Sequence, residues 1–155
     1  MIFQHTLDNV LAERKTQTRR VIHSGDAEIR GRYNRIEAVL TNGRLKWVVG
    51  RTYAVQAGRC EPPIARIQIT KINSQCVKYI STRDAIEEGF SSKREFLETW
   101  KKIHGPNSLD LRVWIVNFKL VAEAIEGYPT ADIINIKDKL EVSISDANRR
   151  PGYSR

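Results

Sequence analysis

Between Leu45 and Thr70 the chain alternates apolar and polar residues in short runs, each closed by glycine or proline. Leu45, Trp47 and Val49 alternate with Lys46; Tyr53, Val55 and Ala57 alternate with Thr52 and Gln56; Ala65, Ile67 and Ile69 alternate with Arg66, Gln68 and Thr70. A period of two places every second side chain on one face, so these runs predict antiparallel strands with one buried side. An Asn73-Ser74 turn and a short strand at Cys76–Ile80 are expected to follow, and Arg112–Leu120 is read as the closing strand, with Trp114, Val116, Phe118 and Leu120 on one face.

Helical signals interrupt this series. Thr6 is placed to cap a short helix over Leu7, Val10 and Leu11, ending near Arg14. Thr82 is read as the cap of a helix over Arg83–Glu88, with Gly89 as its stop. Ser92 and Glu95 have the spacing of a capping box, and Phe96, Leu97, Trp100 and Ile103 share one helical face until Gly105-Pro106. Lys15 to Val21 alternates and carries two threonines, which favours an extended segment. Residues 22–44, with Gly25, Gly31, Asn34, Asn42 and Gly43, read as a long basic loop holding one strand at Ile36–Thr41. The order helix, strands, two helices, strand points to an α+β domain: a small, mostly antiparallel β-barrel or curled sheet of five or six strands, with helices packed at its side.

At 155 residues, 41% apolar and 28% charged, the chain is long enough for one domain with a real core. The domain is assigned to 1–122, with 22–44 as a basic insert. Residues 123–155 form a C-terminal extension, in which Ile133–Val142 has enough apolar residues to dock and the last residues are expected to be disordered. No apolar run approaches the roughly 20 residues of a membrane span, and Met1–Arg14 lacks the apolar stretch of a signal peptide, so a cytoplasmic location is expected; the sequence leaves the oligomeric state open, with a monomer the favoured state. Cys60 and Cys76 are read as inert thiols, and His5, His23 and His104 show no metal-ligand spacing; no metal or cofactor is expected.

Charge is unevenly placed. Residues 1–60 hold 11 Lys/Arg against 5 Asp/Glu, whereas 61–155 hold 15 against 13. Clustered basic charge is the footprint of a phosphate-bearing partner. Lys15, Arg19, Arg20, Arg30, Arg32 and Arg35 are the candidate phosphate contacts, with Tyr53 as a candidate stacking platform; Trp100 and Trp114 read as core. Lysine beside arginines is discouraged from holding its proton, and a threonine beside such an amine can serve as a nucleophile, which marks Lys15 and Thr18. The same cations at a helix C-terminus also simply favour its dipole.

Glu13-Arg-Lys15-Thr-Gln-Thr-Arg-Arg20 resembles the G-x-K-x-x-x-x-R signature of the ASCH domain, a member of the PUA-like superfamily, with Glu13 standing where the family has glycine. Gly50–Gly58, Asp84-Ala-Ile-Glu-Glu-Gly-Phe90, Phe96-Leu97 with Trp100, and Val113–Phe118 follow in the family's order. The resemblance implies a PUA-like barrel facing RNA or a nucleoside or nucleotide ligand. It also implies a catalytic alternative. In the small bacterial N4-acetylcytidine amidohydrolases a lysine, a threonine three residues on and a glutamate act together, and Lys15, Thr18 and Glu88 match them; ribonuclease activity also occurs in the family. Glu87 is the exposed neighbour for comparison. A DNA-binding adaptor built on the two central helices is disfavoured, because the second mixes Lys93, Arg94, Lys101 and Lys102 with Glu95 and Glu98.

Overall fold

The computed structural model describes residues 1–3 and 6–121; the proposed extension at 123–155, with its docking segment and its expected disorder, lies outside them. Ten elements follow one another: α1 (Leu7–Leu11), β1 (Gln17–Val21), β2 (Asp26–Arg30), β3 (Ile36–Thr41), β4 (Arg44–Val48), β5 (Thr52–Val55), β6 (Ala65–Cys76), α2 (Thr82–Glu87), α3 (Lys93–His104) and β7 (Arg112–Val121). The strands form one antiparallel sheet in the order β1-β7-β6-β3-β2, with β4 on β3 and β5 on β6. The sheet is not closed. This is the expected α+β class, a small domain of helices and antiparallel sheet, with seven strands where five or six were expected. Among the described residues no helix is long and apolar enough to cross a membrane.

β6 and β7 are the spine, paired from Arg66↔Val121 to Cys76↔Arg112. The register shifts between Ile69 and Lys71, and this bulge moves the buried set from Ala65, Ile67 and Ile69 to Ile72. The expected Asn73-Ser74 turn does not form, because ten residues of β7 pair straight past it. The expected strand at Cys76–Ile80 is instead one tight helical turn at Val77–Tyr79, which sends Val77 and Ile80 under the helices. β7 is buried on both sides: Val113 packs in the helical cluster with Phe96 and Trp100, while Trp114 and Val116 pack with Val39, Trp47 and Ile69. Trp100 and Trp114 are thus core residues, as expected.

The segment 22–44 is not a loop but most of a three-stranded unit. β3 has the expected bounds, and β2 and β4 flank it. β2, Asp-Ala-Glu-Ile-Arg, is largely exposed and mostly polar, as suits an edge strand, so it carries no alternating apolar signal. Asn42 (φ 50°) and Gly43 (φ 75°) form the two-residue hairpin turn between β3 and β4 that an Asn-Gly pair favours.

The helix signals were off by a residue or a partner. Ser81, not Thr82, caps α2: its hydroxyl accepts from the Asp84 amide at 3.0 Å and the Asp84 carboxylate accepts from the Ser81 amide at 3.3 Å. Thr6 makes no capping bond with its side chain, and α1 stops at Leu11. Ser92 does accept from the Glu95 amide, but the Glu95 carboxylate turns to Ser91. Ile103 is 62% exposed, and the exposed His104 ring lies tilted against Trp100 at 4.1 Å between centroids.

Candidate functional site

The site begins at the turn between α1 and β1. Glu13 has φ 57°, a left-handed backbone that glycine adopts without cost, so the turn of the signature is kept although the glycine is not. The turn lets the Lys15 amide donate to Asn9 O at 2.8 Å. On the other side Gly89, with φ 90°, reverses the chain after α2. A Cβ there would lie 2.9 Å from Asn9 Nδ2, which donates to Gly89 O at 3.1 Å, so both the angle and the close approach require glycine. The C-terminal end of α2 is thereby held on β1: Thr16 N donates to Glu87 O at 2.9 Å, and Lys15 Nζ donates to Glu88 O at 2.7 Å.

A buried charge cluster fills this junction. Lys15 Nζ lies 2.6 Å from Glu88 Oε2, with both side chains 4% exposed. Arg19, 1% exposed, reaches Glu88 Oε1 at 3.1 Å and Asp84 Oδ2 at 3.5 Å. Gln17 joins them, accepting from the Arg19 guanidinium and donating to Asp84 at 3.3 Å and Glu87 at 3.2 Å. Burial pulls the Lys15 amine below its ordinary value; the Glu88 carboxylate works against that pull, and Arg20 and Arg19 add to it. Asp84 is held below the usual carboxylate range: burial pushes it up, but hydrogen bonds from Ser81 and Gln17 and the charge of Arg19 outweigh this.

The strand's alternation separates the remaining candidates. Gln17 and Arg19 face α2, while Thr18 and Arg20 point to the other side of β1. Thr18 is buried against Val116 in the register and makes no side-chain hydrogen bond among the described residues. The structure thus brings Lys15, Arg19 and Glu88 together and leaves Thr18 outside their hydrogen bonds. Arg20 donates to Ile2 O at 2.7 Å and sits over the Phe3 ring at 5.9 Å. Arg30, Arg32 and Arg35 are exposed around the β2–β3 turn; Arg30 is bonded to Glu28 Oε1 at 2.7 Å and Asn34 O at 2.8 Å. The Tyr53 hydroxyl is engaged, accepting from the Val48 amide at 2.7 Å.

Beside β1 opens a cavity of about 680 Å³, lined in part by Arg19, Arg20, His23, Lys46, Trp47 and His104, and by no carboxylate among the described residues. Lys46 stands over the Trp47 ring at 4.6 Å. Burial lowers the pKa of His104, which leaves it neutral at neutral pH. Sequence reasoning missed His23 and Lys46, which have no special local pattern, and Asp26, which organises them. Asp26 accepts from Thr41 Oγ1 at 2.6 Å, Trp114 Nε1 at 3.0 Å and the His23 amide at 3.3 Å, and lies 3.5 Å from Lys46 Nζ. Among the described residues no three His, Cys, Asp or Glu side chains gather where they could hold a metal ion.

No protein-family model matches the chain, and no curated protein does. Among solved structures it is similar to a DUF984-family protein of Enterococcus faecalis V583, at 17% identity and a TM-score of 0.52 over 76% of this chain and 68% of that one. It is also similar to an ASCH domain of Lactobacillus crispatus JV V101, at 18% identity and a TM-score of 0.47 over 74% and 69%. The likeness is one of fold. The class so defined is a small α+β domain with the fold of the DUF984-family protein.

Proposed function

We propose that the protein binds RNA or a nucleotide, with phosphate held in the cavity beside β1. The observation that carries this reading is the lining itself: Arg20, which has no ion pair among the described residues, meets His23 and Lys46 there, and no carboxylate is among the lining residues described. Lys46 lies 3.5 Å from Asp26, and Arg19, which also lines the cavity, is held by Glu88. Arg20 suits the role best. Its Nε is buried without a hydrogen-bond partner, so an incoming oxyanion supplies a bond that the fold leaves unmade. Lys15 does not suit it, because Glu88 already occupies its ammonium in a buried site. An Arg20→Ala/Lys46→Ala variant is expected to lose roughly 10- to 100-fold in affinity for labelled single-stranded RNA, as for charged hydrogen bonds. The slope of log K against log salt is expected to fall by about 0.7 for each phosphate that is no longer neutralised. Fluorescence anisotropy between low and physiological salt reads both, and an unchanged affinity and slope sinks the reading.

A second reading, hydrolysis of an acylated nucleoside such as N4-acetylcytidine, is favoured by the buried Lys15 amine with its lowered pKa. In that reading neutral Lys15 takes a proton from a water, whose oxygen attacks the acyl carbon to release acetate directly, or from the Thr18 hydroxyl, whose oxygen forms an acyl ester that a second water, deprotonated by Lys15, then hydrolyses to acetate and free Thr18. In both routes the cytosine amine leaves with a proton returned from Lys15. Glu88 stabilises the ammonium formed meanwhile, and Arg20 steadies the developing oxyanion. This reading requires Thr18 to reach Lys15 through a water or a shift of β1. The expected outcome is release of acetate from N4-acetylcytidine, reduced about 10²–10⁴-fold in Lys15→Ala and reduced also in Thr18→Ala. A wild type no faster than buffer removes the hydrolase reading and leaves binding.

A further inference from the structure

The turn between β2 and β3 carries Arg30-Gly-Arg-Tyr-Asn-Arg35, three arginines around one aromatic residue. Tyr33 has φ 58° and ψ 27°, Asn34 has φ 59°, and the Arg35 amide donates to Arg32 O at 3.5 Å. Two successive left-handed residues make a type I′ turn, which favours Asn and Gly at its centre. Asn34 fits that rule and Tyr33 breaks it, since a side chain with a Cβ is strained in this conformation. Nothing among the described residues offsets the strain. Tyr33 is 86% exposed and makes no ring contact or side-chain hydrogen bond among the described residues. A strained aromatic residue held out into solvent is an outlier whose reason lies outside the fold.

Beside the turn lies a groove of about 390 Å³, lined in part by Arg30, Asn34, Arg35, Asn73, Ser74 and Gln75. Gln75 Nε2 is buried there without a hydrogen-bond partner. The Arg35 guanidinium is exposed and has no ion pair among the described residues. Of the carboxylates nearby, Glu28 is bonded to Arg30, and Glu37, which has no side-chain hydrogen bond or ion pair among the described residues, lies against Gly31, where a Cβ would fall 1.7 Å from its Oε1. Guanidinium and amide donors next to an exposed ring form the footprint of unpaired nucleotides, whose bases stack while phosphates and base edges accept hydrogen bonds. We infer that the β2–β3 turn is a second contact point for single-stranded RNA, with a base stacked on Tyr33 and the adjoining phosphate and base edge held by Arg35 and Gln75. This rests on the RNA-binding reading above and extends it from a phosphate pocket to a strand-length footprint.

The test uses the whole protein and two ligands, a nucleoside monophosphate and a single-stranded RNA of about ten nucleotides. Tyr33→Asn is expected to weaken the RNA by roughly 5- to 100-fold, as for loss of one stacked base, and to leave the monophosphate unchanged. The same variant is expected to raise the melting temperature by a few degrees, because asparagine suits the left-handed turn. Arg35→Ala is expected to weaken the RNA and flatten its salt dependence. If RNA binds through Arg20 and Lys46 but is indifferent to Tyr33→Asn and Arg35→Ala, the inference falls and the reading above stands. If the wild type binds neither ligand, both fall. If a polyglutamate peptide displaces the RNA from the turn as well as unlabelled RNA does, the site is one for acidic chains and the inference is overturned.

Discussion

Glu88→Ala lowers the unfolding free energy by about 3–5 kcal/mol, the range for stranding a buried charge by removing its partner. Two cations lose their counter-ion at once. Lys15 is left with the Glu88 carbonyl alone, and Arg19 keeps only Gln17 and the more distant Asp84. Lys15 can shed its proton in response, but Arg19 cannot. Against typical stabilities of about 5–15 kcal/mol, this is a large fraction of the whole. Urea unfolding reads it as a midpoint shift at constant slope. Glu88→Gln keeps an acceptor for Arg19 and is expected to lose less, and adding Lys15→Met to it recovers part of the loss by removing the stranded ammonium. A loss under about 1 kcal/mol in Glu88→Ala contradicts a buried cluster at this junction.

Asp26→Ala costs about 3 kcal/mol at neutral pH, because three donors lose their shared acceptor and Trp114 Nε1 is left in the core unpaired. The Asp26 side chain is 0% exposed. Burial pushes its pKa up, yet hydrogen bonds from Thr41, Trp114 and the His23 amide, together with Lys46, outweigh this and hold it below the ordinary carboxylate value. With the folded pKa lower than the unfolded one, the stabilisation is present above about pH 4 and is lost as pH falls through the folded value. The stability gap between wild type and Asp26→Asn is therefore expected to shrink when urea midpoints at pH 7 and pH 3 are compared. A gap independent of pH refutes the charged network.

Much of the fold was legible because it lies in local patterns. The alternation of Ala65, Ile67 and Ile69 placed the first half of β6; Trp114, Val116 and Phe118 placed β7; and Gly89 and Gly105 marked where α2 and α3 stop. Of the candidate site, Lys15, Thr18, Arg19 and Arg20 were legible as clustered charge and hydroxyl, and Glu88 only through resemblance. Nothing in the composition of Lys15 or Glu88 links residues 73 positions apart, and their 2.6 Å contact follows from how the end of α2 lands on β1. β2 escaped because an exposed edge strand pairs through its backbone and needs no apolar period. Tyr33 escaped because its strain is a property of the turn, although the arginines around it were legible as basic charge.

The amino-acid sequence by itself determined the class: an antiparallel α+β domain whose buried faces and helix stops are written at periods of two and 3.6. It also set the excess of positive charge in the first 60 residues. Only the tertiary structure decided what those charges do. Packing α2 against β1 buries Lys15 and Arg19 on Glu88 and removes them from the surface, while Arg20, His23 and Lys46 converge on a cavity from separate segments. The reason is physical. Periodicity is a short-range property that each segment carries alone, whereas desolvation and charge pairing depend on which segments meet, and that is settled by the pairing of β6 with β7 and the turn at Gly89.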